Sequence, residues 1–366
     1  MQNLTREAKL YPSKRQEQVL VQLFGDCRIL YNDILETKIE TYQKGGKNLS
    51  RYDLYKMFKT YEANIPASLK QCIASRVVTA FDRFFGEQNG FPRFKSKNRF
   101  RSIGLRQYQT DYRIIGNVLS VWKSYGLGYI KTRGLQPLEN PKGARIVKRA
   151  SGWYLQVIDE VEEKQTKKNN KEVGVDLGLR YFVADSNGGT IKAPQLFKKT
   201  QRKLRVQQRG LKNKTKFSNR WKKQTRQIAR TYEHITNQRK DFLHKVARKY
   251  ADNNDVVYAE DLNVSGMVRN HHLAKSISDA SWTMFLNILD YKLKMLGREL
   301  VLVPPQYTSQ KCSNCGAIVP KSLSVRTHIC PECGYIADRD TNAAKNILRL
   351  GQSRQALTYG NSQSVA

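Results

Sequence analysis

In the first quarter of the chain, apolar residues recur at spacings of three and four, the repeat of an amphipathic helix. Ser13, followed three residues later by Gln16, forms a capping box that marks the start of the first helix. The predicted helices lie at 13–42, 50–61 and 68–85. Together they predict a helical unit at the beginning of the protein.

Between residues 91 and 161 the pattern changes to short alternating or β-branched runs. Gly-Asn, Pro-Lys-Gly and Ser-Gly turns separate these runs. The predicted strands lie at 112–115, 117–122, 128–132, 144–148 and 153–161. Short strands divided by regular turns are typical of a small β-barrel, which is the prediction for this part of the chain.

The hydrophilic stretch 162–171 is a linker by composition, and a second set of elements follows it. The pattern predicts three antiparallel strands, a basic helical hairpin, a buried strand, a helix, another strand and a last helix. The three antiparallel strands are predicted at 172–177, 180–185 and 190–192, and the turn of the hairpin at 213–218. The buried strand is predicted at 255–259, the helix after it at 282–296, the next strand at 299–303 and the last helix at 341–350.

The net charge narrows the class of partner. The 366 residues contain 65 Lys and Arg against 31 Asp and Glu, which gives 65 − 31 = +34. A polyanion such as nucleic acid would neutralise this charge and release counterions. With 39% hydrophobic residues the chain is too rich in core formers to be a disordered basic tail. It also has no run of about 18 apolar residues and no signal-peptide core, so we expect a soluble, cytoplasmic protein without a membrane partner.

Half of the excess charge lies in one segment. Residues 198–249 contain 19 Lys or Arg and two acids, a net charge of 19 − 2 = +17. A solvated helix face normally mixes both signs, so we interpret this segment as a nucleic-acid-binding surface. The helix in its second part is expected to bury one apolar stripe, formed by Ile228, Tyr232, Ile235, Phe242, Val246 and Tyr250.

Four of the six cysteines lie close together, in two CxxC knuckles separated by 14 residues: Cys312, Cys315, Cys330 and Cys333. This spacing predicts a tetrahedral site for one zinc ion, which four thiolates would close to other ligands, so the ion is expected to be structural. His328 is expected to be a neighbour of the site and not a ligand. The other two, Cys27 and Cys72, are expected to be small core residues.

Acidic residues occupy unusual places in the second half of the chain. Asp176 and Glu260 each end an apolar strand, and Asp338 and Asp340 precede the last helix. Alone, each could be a turn or helix cap. Taken together, the order of elements is that of an RNase H-like fold, in which adjacent strand ends bring such acids together. Carboxylates that share a site are tolerated around cations, so the pattern predicts a two-metal centre for phosphodiester hydrolysis with Mg²⁺ or Mn²⁺.

Six segments in order resemble the TnpB family of transposon-encoded RNA-guided nucleases, the ancestors of type V CRISPR effectors. The segments are VGVDLGLRYFVAD, ITNQRKDFLHKVA, VVYAEDLNVSGM, SWTMFLNILDYKLKMLGREL, YTSQKCSNCG and DRDTNAAKNIL. The amino-terminal LYPSKRQ, GFPRFKSK and GWYLQV fit the same family. The likeness therefore spans nearly the whole chain.

The resemblance implies a multidomain α+β protein with a RuvC nuclease domain whose catalytic carboxylates are Asp176, Glu260 and Asp340, with Asp338 as the reserve candidate. The domains it implies are a wedge β-barrel at 1–12 and 91–166, a helical recognition insert at 13–90, the RuvC-like nuclease domain at 170–310 and 336–351, an inserted zinc ribbon at 311–335, and a tail at 352–366 expected to be disordered.

The partners implied by the resemblance are a guide RNA from the transposon end and double-stranded target DNA, bound by a monomer. Base pairing would read the target, and the protein would read a short flanking motif. The expected nucleic-acid contacts are Lys198, Lys199, Arg202, Lys203, Lys222, Lys223, Arg226, Arg93, Lys95, Lys97 and, for an adenine of the flanking motif, Gln71.

Three alternatives remain open from the residues. A catalytically idle guided repressor would need the acids to be lost, and they are present. A DNA transposase could use similar acids for strand transfer. A ribosome-like RNA-binding zinc protein would explain the charge and leave the acids at the strand ends unexplained.

Overall fold

The computed structural model describes residues 1–366 except 47, 62, 88, 164–165, 323–324 and 364–366, and describes the backbone alone at 356–363. The chain divides into two compact units, Met1–Glu162 and Glu163–Ala366. Within the described ranges, no helix is long and apolar enough to cross a bilayer.

In its described residues, the first unit contains three α-helices, a short 3-10 helix at Lys123–Tyr125 and one antiparallel sheet of seven strands. Its elements are β1 (Gln2–Tyr11), α1 (Lys14–Gln43), α2 (Arg51–Phe58), α3 (Ala67–Gly86), β2 (Ser102–Leu105), β3 (Tyr112–Ile115), β4 (Val118–Val121), β5 (Gly128–Arg133), β6 (Pro141–Arg149) and β7 (Gly152–Val161). Across the sheet the strands follow the order β2-β6-β7-β1-β5-β4-β3.

The three predicted helices are confirmed. Ser13 caps α1, and the reciprocal hydrogen bonds of the capping box with Gln16 are both present. The helix buries a stripe at helical spacing that includes Leu20 and Cys27, as predicted. Cys72 is half-buried and packs against the same core. The local sequence therefore determined both the start of α1 and the face that it buries.

Two strands of this sheet were missed by the sequence pattern. β1 pairs with β5 and β7. Its alternation of apolar residues is broken by Arg6, which the structure keeps mostly buried by an ion pair with Asp159, 2.7 Å between Nε and Oδ2. β2 is only four residues long. A partner 153 residues away cannot be found from local pattern, and a strand of four residues gives little pattern to find.

The second unit contains a five-stranded mixed sheet and a separate two-stranded one. Its elements are β8 (Glu172–Asp176), β9 (Tyr181–Asp185), β10 (Thr190–Lys192), α4 (Leu196–Lys212), α5 (Asn219–Asn253), β11 (Val256–Glu260), α6 (Val264–Met267), α7 (Ala274–Ala280), α8 (Trp282–Met295), β12 (Glu299–Val303), β13 (Thr327–Ile329), β14 (Ile336–Asp338) and α9 (Arg339–Gln363).

The larger sheet has the strand order β10-β9-β8-β11-β12. β9 is antiparallel to β8 and β10, whereas β8, β11 and β12 run parallel. The predicted order of strands, hairpin and helices is confirmed, and all bounds except the end of the last helix lie within a few residues of those expected. The short helices α6 and α7 and the strands β13 and β14 were not predicted. Its core lies between the sheet and the packed faces of α5 and α8.

The buried face of α5 differs in part from the predicted stripe. Ile235, Val246 and Tyr250 are buried as expected, but Tyr232 is 41% exposed, while Leu243, outside the predicted stripe, is buried. The helix is 35 residues long and contacts both α4 and α8, so one straight stripe cannot describe the two packing partners.

Helix α9 lies directly against the larger sheet because two glycines leave room for it. A Cβ on Gly174 of β8 would lie 2.2 Å from the carbonyl oxygen of Ala344 in α9. A Cβ on Gly351 would lie 1.9 Å from the ring of Tyr258 in β11. Backbone and ring therefore meet at distances that no other residue type permits at these two positions.

The carboxy-terminal helix is longer than predicted. The sequence pattern placed its end at Leu350, whereas α9 continues to Gln363. Residues 364–366 of the tail that was expected to be disordered lie outside the described residues. The side chain of Gln352 donates to Glu172 (2.8 Å), and Arg354 donates to the carbonyl of Leu302 (3.1 Å). These contacts hold a polar segment on the sheet although it has little apolar pattern of its own.

We expect Gly174→Ala to destabilise the protein by about 1–3 kcal/mol or more, because the new methyl group would meet backbone atoms of α9, which cannot rotate away. The midpoint of thermal unfolding measures this effect.

Gly210→Ala is the matched control in the same unit. Gly210 lies in α4, and the nearest atoms to its added Cβ are ends of flexible side chains at 3.9 Å. This change should be neutral or stabilise by up to about 1 kcal/mol. Equal effects of the two substitutions would contradict the close approach of α9 to β8.

Candidate functional site

The structure brings the three predicted acids to one edge of the larger sheet. Asp176 is the last residue of β8 and Glu260 the last of β11. These strands are parallel neighbours, with Ala259 opposite Val175, so the two carboxylates follow at the same edge. Asp340 lies in the first turn of α9, the helix that packs on β8.

The surroundings of the three carboxylates raise the pKa of each. Burial, together with the charges of Glu260 and Asp340, raises the pKa of Asp176 to about 8. Burial raises the pKa of Glu260 against the effect of the Thr308 hydroxyl, which donates to Oε1. Burial and the charge of Asp338 raise the pKa of Asp340. Such shifts are typical of carboxylates that share a partly desolvated space.

Asp338 and Asp340 differ in what they contact. Oδ1 of Asp338 accepts the backbone N–H groups of Asp340 (2.9 Å) and Thr341 (3.2 Å), which makes it the amino-terminal cap of α9. Asp340 instead lies near cations, with Arg326 Nη1 at 3.7 Å from its Oδ1. The carboxylate that interacts with Asp176 is that of Asp340.

Two asparagines that the sequence analysis did not single out hold this region together. Asn342 and Asn346 are one turn apart on α9, and both are buried. Asn342 accepts from the backbone N–H of Ser313 (2.9 Å) and donates to the carbonyl of Lys311 (2.8 Å). Asn346 donates to the carbonyl of Thr308 (2.8 Å), the residue that contacts Glu260. The spacing of four residues in DRDTNAAKNIL was the signal that could have found them.

The four cysteines of the CxxC knuckles form a compact cluster. Their sulfur atoms all lie within 4.8 Å of one another. The Sγ atoms are 3.8 Å apart for Cys312 and Cys333 and 3.6 Å apart for Cys315 and Cys330. The amide of Asn314 and the backbone N–H of Tyr335 lower the pKa of Cys333 to about 6, which favours its thiolate.

This geometry fits a zinc ion. Thiolates about 2.3 Å from a tetrahedral ion lie about 3.8 Å from one another, close to the two separations in the structure. His328 is buried beside the cluster and contacts Nζ of Lys321, outside the set of four sulfurs. Within the described ranges, the three carboxylates do not form so tight a group.

The predicted basic contacts of the second unit lie on the surface of the α4–α5 hairpin. The turn that connects the two helices lies at 213–218, as expected, and Leu204 and Gln207 of α4 are buried. The cations are all exposed: Lys198, Lys199, Arg202, Lys203, Lys222, Lys223 and Arg226.

The predicted contacts of the first unit have more varied surroundings. Arg93 and Lys97 are exposed, whereas Lys95 is half-buried and its backbone is held by the side chain of Asn32. Gln71 is half-buried on α3, and its Oε1 accepts from Nη1 of Arg106 (3.3 Å). Arg106 and three more arginines, Arg51, Arg76 and Arg145, line a cavity of about 390 Å³ beside it.

Three family models match parts of the chain. One described as "Probable transposase" covers residues 156–271, "Cas12f1-like, TNB domain" covers 282–347, and "Helix-turn-helix domain" covers 1–47. The last description does not fit the geometry, because residues 1–46 form β1 and the single long helix α1.

Curated relatives match over nearly their full length. A protein of Streptomyces pristinaespiralis named "Putative RNA-guided DNA endonuclease" is 32% identical, covering 98% of this chain and 92% of its own. The "Putative RNA-guided DNA endonuclease InsQ" of Escherichia coli K12 is 28% identical, covering 94% and 91%.

Solved structures place the fold in a class of mixed α/β multidomain proteins. Cas12f1 in a complex with sgRNA and target DNA superimposes with a TM-score of 0.60 at 16% identity, covering 92% of this chain and 83% of that one. The mini-RNA-guided endonuclease CRISPR-Cas phi3 gives 0.53 at 10% identity, covering 96% and 92%. By its sequence relatives, the chain belongs to the TnpB family.

We expect the purified protein to contain about one equivalent of zinc, and Cys330→Ser to lose most of it and to lower the thermal stability. The fourth thiolate closes the site and, when the ion binds, contributes to folding. Metal analysis and thermal unfolding are the measurements.

Cys72→Ser is the control, since Cys72 lies outside the cluster and should leave the zinc content unchanged. A parent protein with far less than one equivalent of zinc, together with an equally stable Cys330→Ser variant, would contradict a structural metal site.

The raised pKa of Asp176 predicts a pH dependence of stability in magnesium-free buffer. Its folded pKa of about 8 exceeds the unfolded value of about 3.9, so the folded state binds the extra proton. The stabilisation is complete below pH 4 and is lost as the pH rises towards 8. Asp176→Asn should therefore match the parent below about pH 4 and exceed it at pH 8 by a few kcal/mol, at about 1.4 kcal/mol per unit. Parallel unfolding curves for the two proteins at all pH values would contradict this environment.

Proposed function

We propose that the chain is an RNA-guided DNA endonuclease in which Asp176, Glu260 and Asp340 hold two divalent cations. The observation that carries the proposal is the convergence of these three carboxylates at one sheet edge, where the charges of Glu260 and Asp340 both act on Asp176. The names of the full-length relatives support the reaction class. Acids that are buried or half-buried and close enough to repel one another are costly for a fold unless cations share their space.

The donor set favours hard cations. All three ligands would be carboxylate oxygens, which suit Mg²⁺ or Mn²⁺. Two such ions, when bound, would stabilise the attacking and leaving oxygens of phosphodiester hydrolysis. The residues of the chain supply the geometry. The ends of β8 and β11 fix the positions of Asp176 and Glu260, and the hydroxyl of Thr308 orients Glu260. Because Asp338 caps α9, the carboxylate of Asp340 is not needed as the helix cap.

The domain organisation that we propose follows the family. Residues 170–310 and 336–351 would be the RuvC-like, RNase H-like nuclease domain and 311–335 its zinc ribbon. Residues 1–12 and 91–166 would form the wedge barrel, with 13–90 as the recognition insert. Within the second unit, this is supported by the sheet order and by the position of the cysteine cluster between β12 and α9.

The nucleic-acid partners that we propose are a guide RNA from the transposon end and double-stranded target DNA. The exposed cations of the α4–α5 hairpin, with Arg93 and Lys97, would contact phosphates. Gln71, held by Arg106 beside the arginine-lined cavity, would read an adenine of the flanking motif. We propose a monomer in the ribonucleoprotein and a cytoplasmic location, in keeping with bacterial relatives.

We expect Asp340→Asn to reduce magnesium-dependent cleavage of guide-matched DNA by at least about a hundredfold while binding of guide and target persists. The substitution removes a ligand charge and keeps the shape, whereas affinity comes from the basic surface and from base pairing. Cleavage and binding are measured on the same reconstituted complex.

Asp338→Asn is the matched comparison, because asparagine can still cap α9 and should leave most of the activity. Loss of cleavage in Asp338→Asn but not in Asp340→Asn would reverse the assignment. Products in which a cut end is joined to a second DNA would favour the transposase alternative over hydrolysis.

A further inference from the structure

A cavity of about 330 Å³ opens in the second unit, outside the carboxylate and cysteine clusters. Its volume is at the lower end of the range of small-ligand sites. Its walls come from the loop after β8, the segment between β10 and α4, and one face each of α5 and α7. None of the catalytic or zinc-binding residues proposed above lines it.

The cavity lies at the same edge of the sheet as the carboxylates. Leu179 in its wall follows Asp176 by three residues, so their Cα atoms are at most about 11 Å apart. Ala193 follows the end of β10, which runs parallel to β8, and α7 follows the carboxyl end of β11. A ligand in the cavity would therefore be a close neighbour of the proposed reaction centre.

The inner wall is apolar and partly aromatic. Phe242 of α5 is braced by the buried ring of Phe182, with ring centroids 5.1 Å apart at 72°. Phe197 and Leu179 complete the apolar surface. An aromatic surface of this kind favours a flat, unpaired ring system as a ligand.

The walls are also fixed in position. Asp279 of α7 accepts the backbone N–H of Phe197 at the start of α4, at 3.0 and 3.2 Å. The same carboxylate accepts from Nη2 of Arg239 in α5 at 2.7 Å. One half-buried ion pair thus ties three helices together, so the cavity is formed before any ligand binds.

The opening carries positive charge. Lys198 and Lys275 are exposed side chains that line it, and Asp279, the acid in the wall, is already paired with Arg239. His272 lies beside them. An apolar interior with cations at the mouth matches a nucleotide, whose base would enter while its phosphates stay outside.

We propose that this cavity binds an unpaired base of a single DNA strand, next to the carboxylates that cut it. The choice of a DNA strand rests on the proposed function, whereas the seating of a base rests on the cavity itself. Single-strand binding sites combine stacking surfaces with a basic track, and each stacked base contributes about 1–3 kcal/mol. A base bound in the cavity would fix the position of the DNA strand relative to the carboxylates.

Ser276→Trp tests the proposal in the full chain. Ser276 is exposed on α7 and lines the cavity, so the indole can fill it with little risk to folding. The probes are a fluorescein-labelled oligothymidylate and an abasic oligonucleotide of equal length and charge, in buffer without added divalent cation. We expect about tenfold weaker binding of the oligothymidylate and unchanged binding of the abasic strand. Thr283→Trp, exposed on α8 and away from the cavity, should change neither.

Equal weakening of both oligonucleotides, or no weakening of either, would overturn the proposal. If Ser276→Trp does not fold, Ala193→Leu fills the same cavity from another wall, and the same comparison of oligothymidylate with abasic strand tests the proposal. Binding is measured without chemistry, so the outcome is independent of the metal centre. An inactive centre with intact base-dependent binding, or the reverse, would separate the failure of one proposal from that of the other.

Discussion

The packing of α9 directly onto β8 and β11 is the constraint on which the proposed site depends. It is possible because Gly174 and Gly351 have no side chains at the two points of contact. The packing brings Asp340 to the ends of the two strands that hold Asp176 and Glu260. It also places Asn342 and Asn346 where they hold the first cysteine knuckle. One helix thus organises both the carboxylates and the cysteine cluster.

Two concentrations of charge dominate the electrostatics of the chain, one negative at the carboxylates and one positive on its surface. The carboxylates gather negative charge in a desolvated space, which raises the pKa of each of the three acids. The chain as a whole carries a formal charge of +34 and exposes the cations of α4 and α5. Bound cations would offset the charge of the carboxylates, and nucleic-acid phosphates would offset the positive charge of α4 and α5. Contacts within the chain offset only part of the negative charge, through Arg326 beside Asp340.

Much of the fold could be predicted because its elements are locally consistent. The capping box of α1, the alternation in β3 to β7 and the turn between α4 and α5 each lie within a short stretch of sequence. β1 and the end of α9 could not be predicted in this way. The order of these two segments depends on distant partners: Arg6 pairs with Asp159, and Gln352 donates a hydrogen bond to Glu172. Interactions over more than a hundred residues leave no local pattern.

The site shows the same division. The sequence by itself determined the residue types and their order: two acids at strand ends, a third beside the last helix, and four cysteines at zinc-binding spacing. The residue pattern left Asp338 and Asp340 open, because two aspartates two residues apart have the same chemistry, and only the family resemblance favoured Asp340. The tertiary structure distinguishes them, because the helix amides occupy the carboxylate of Asp338 while α9 directs Asp340 towards Asp176. Distances across the sheet edge depend on helix packing, which only the folded chain decides.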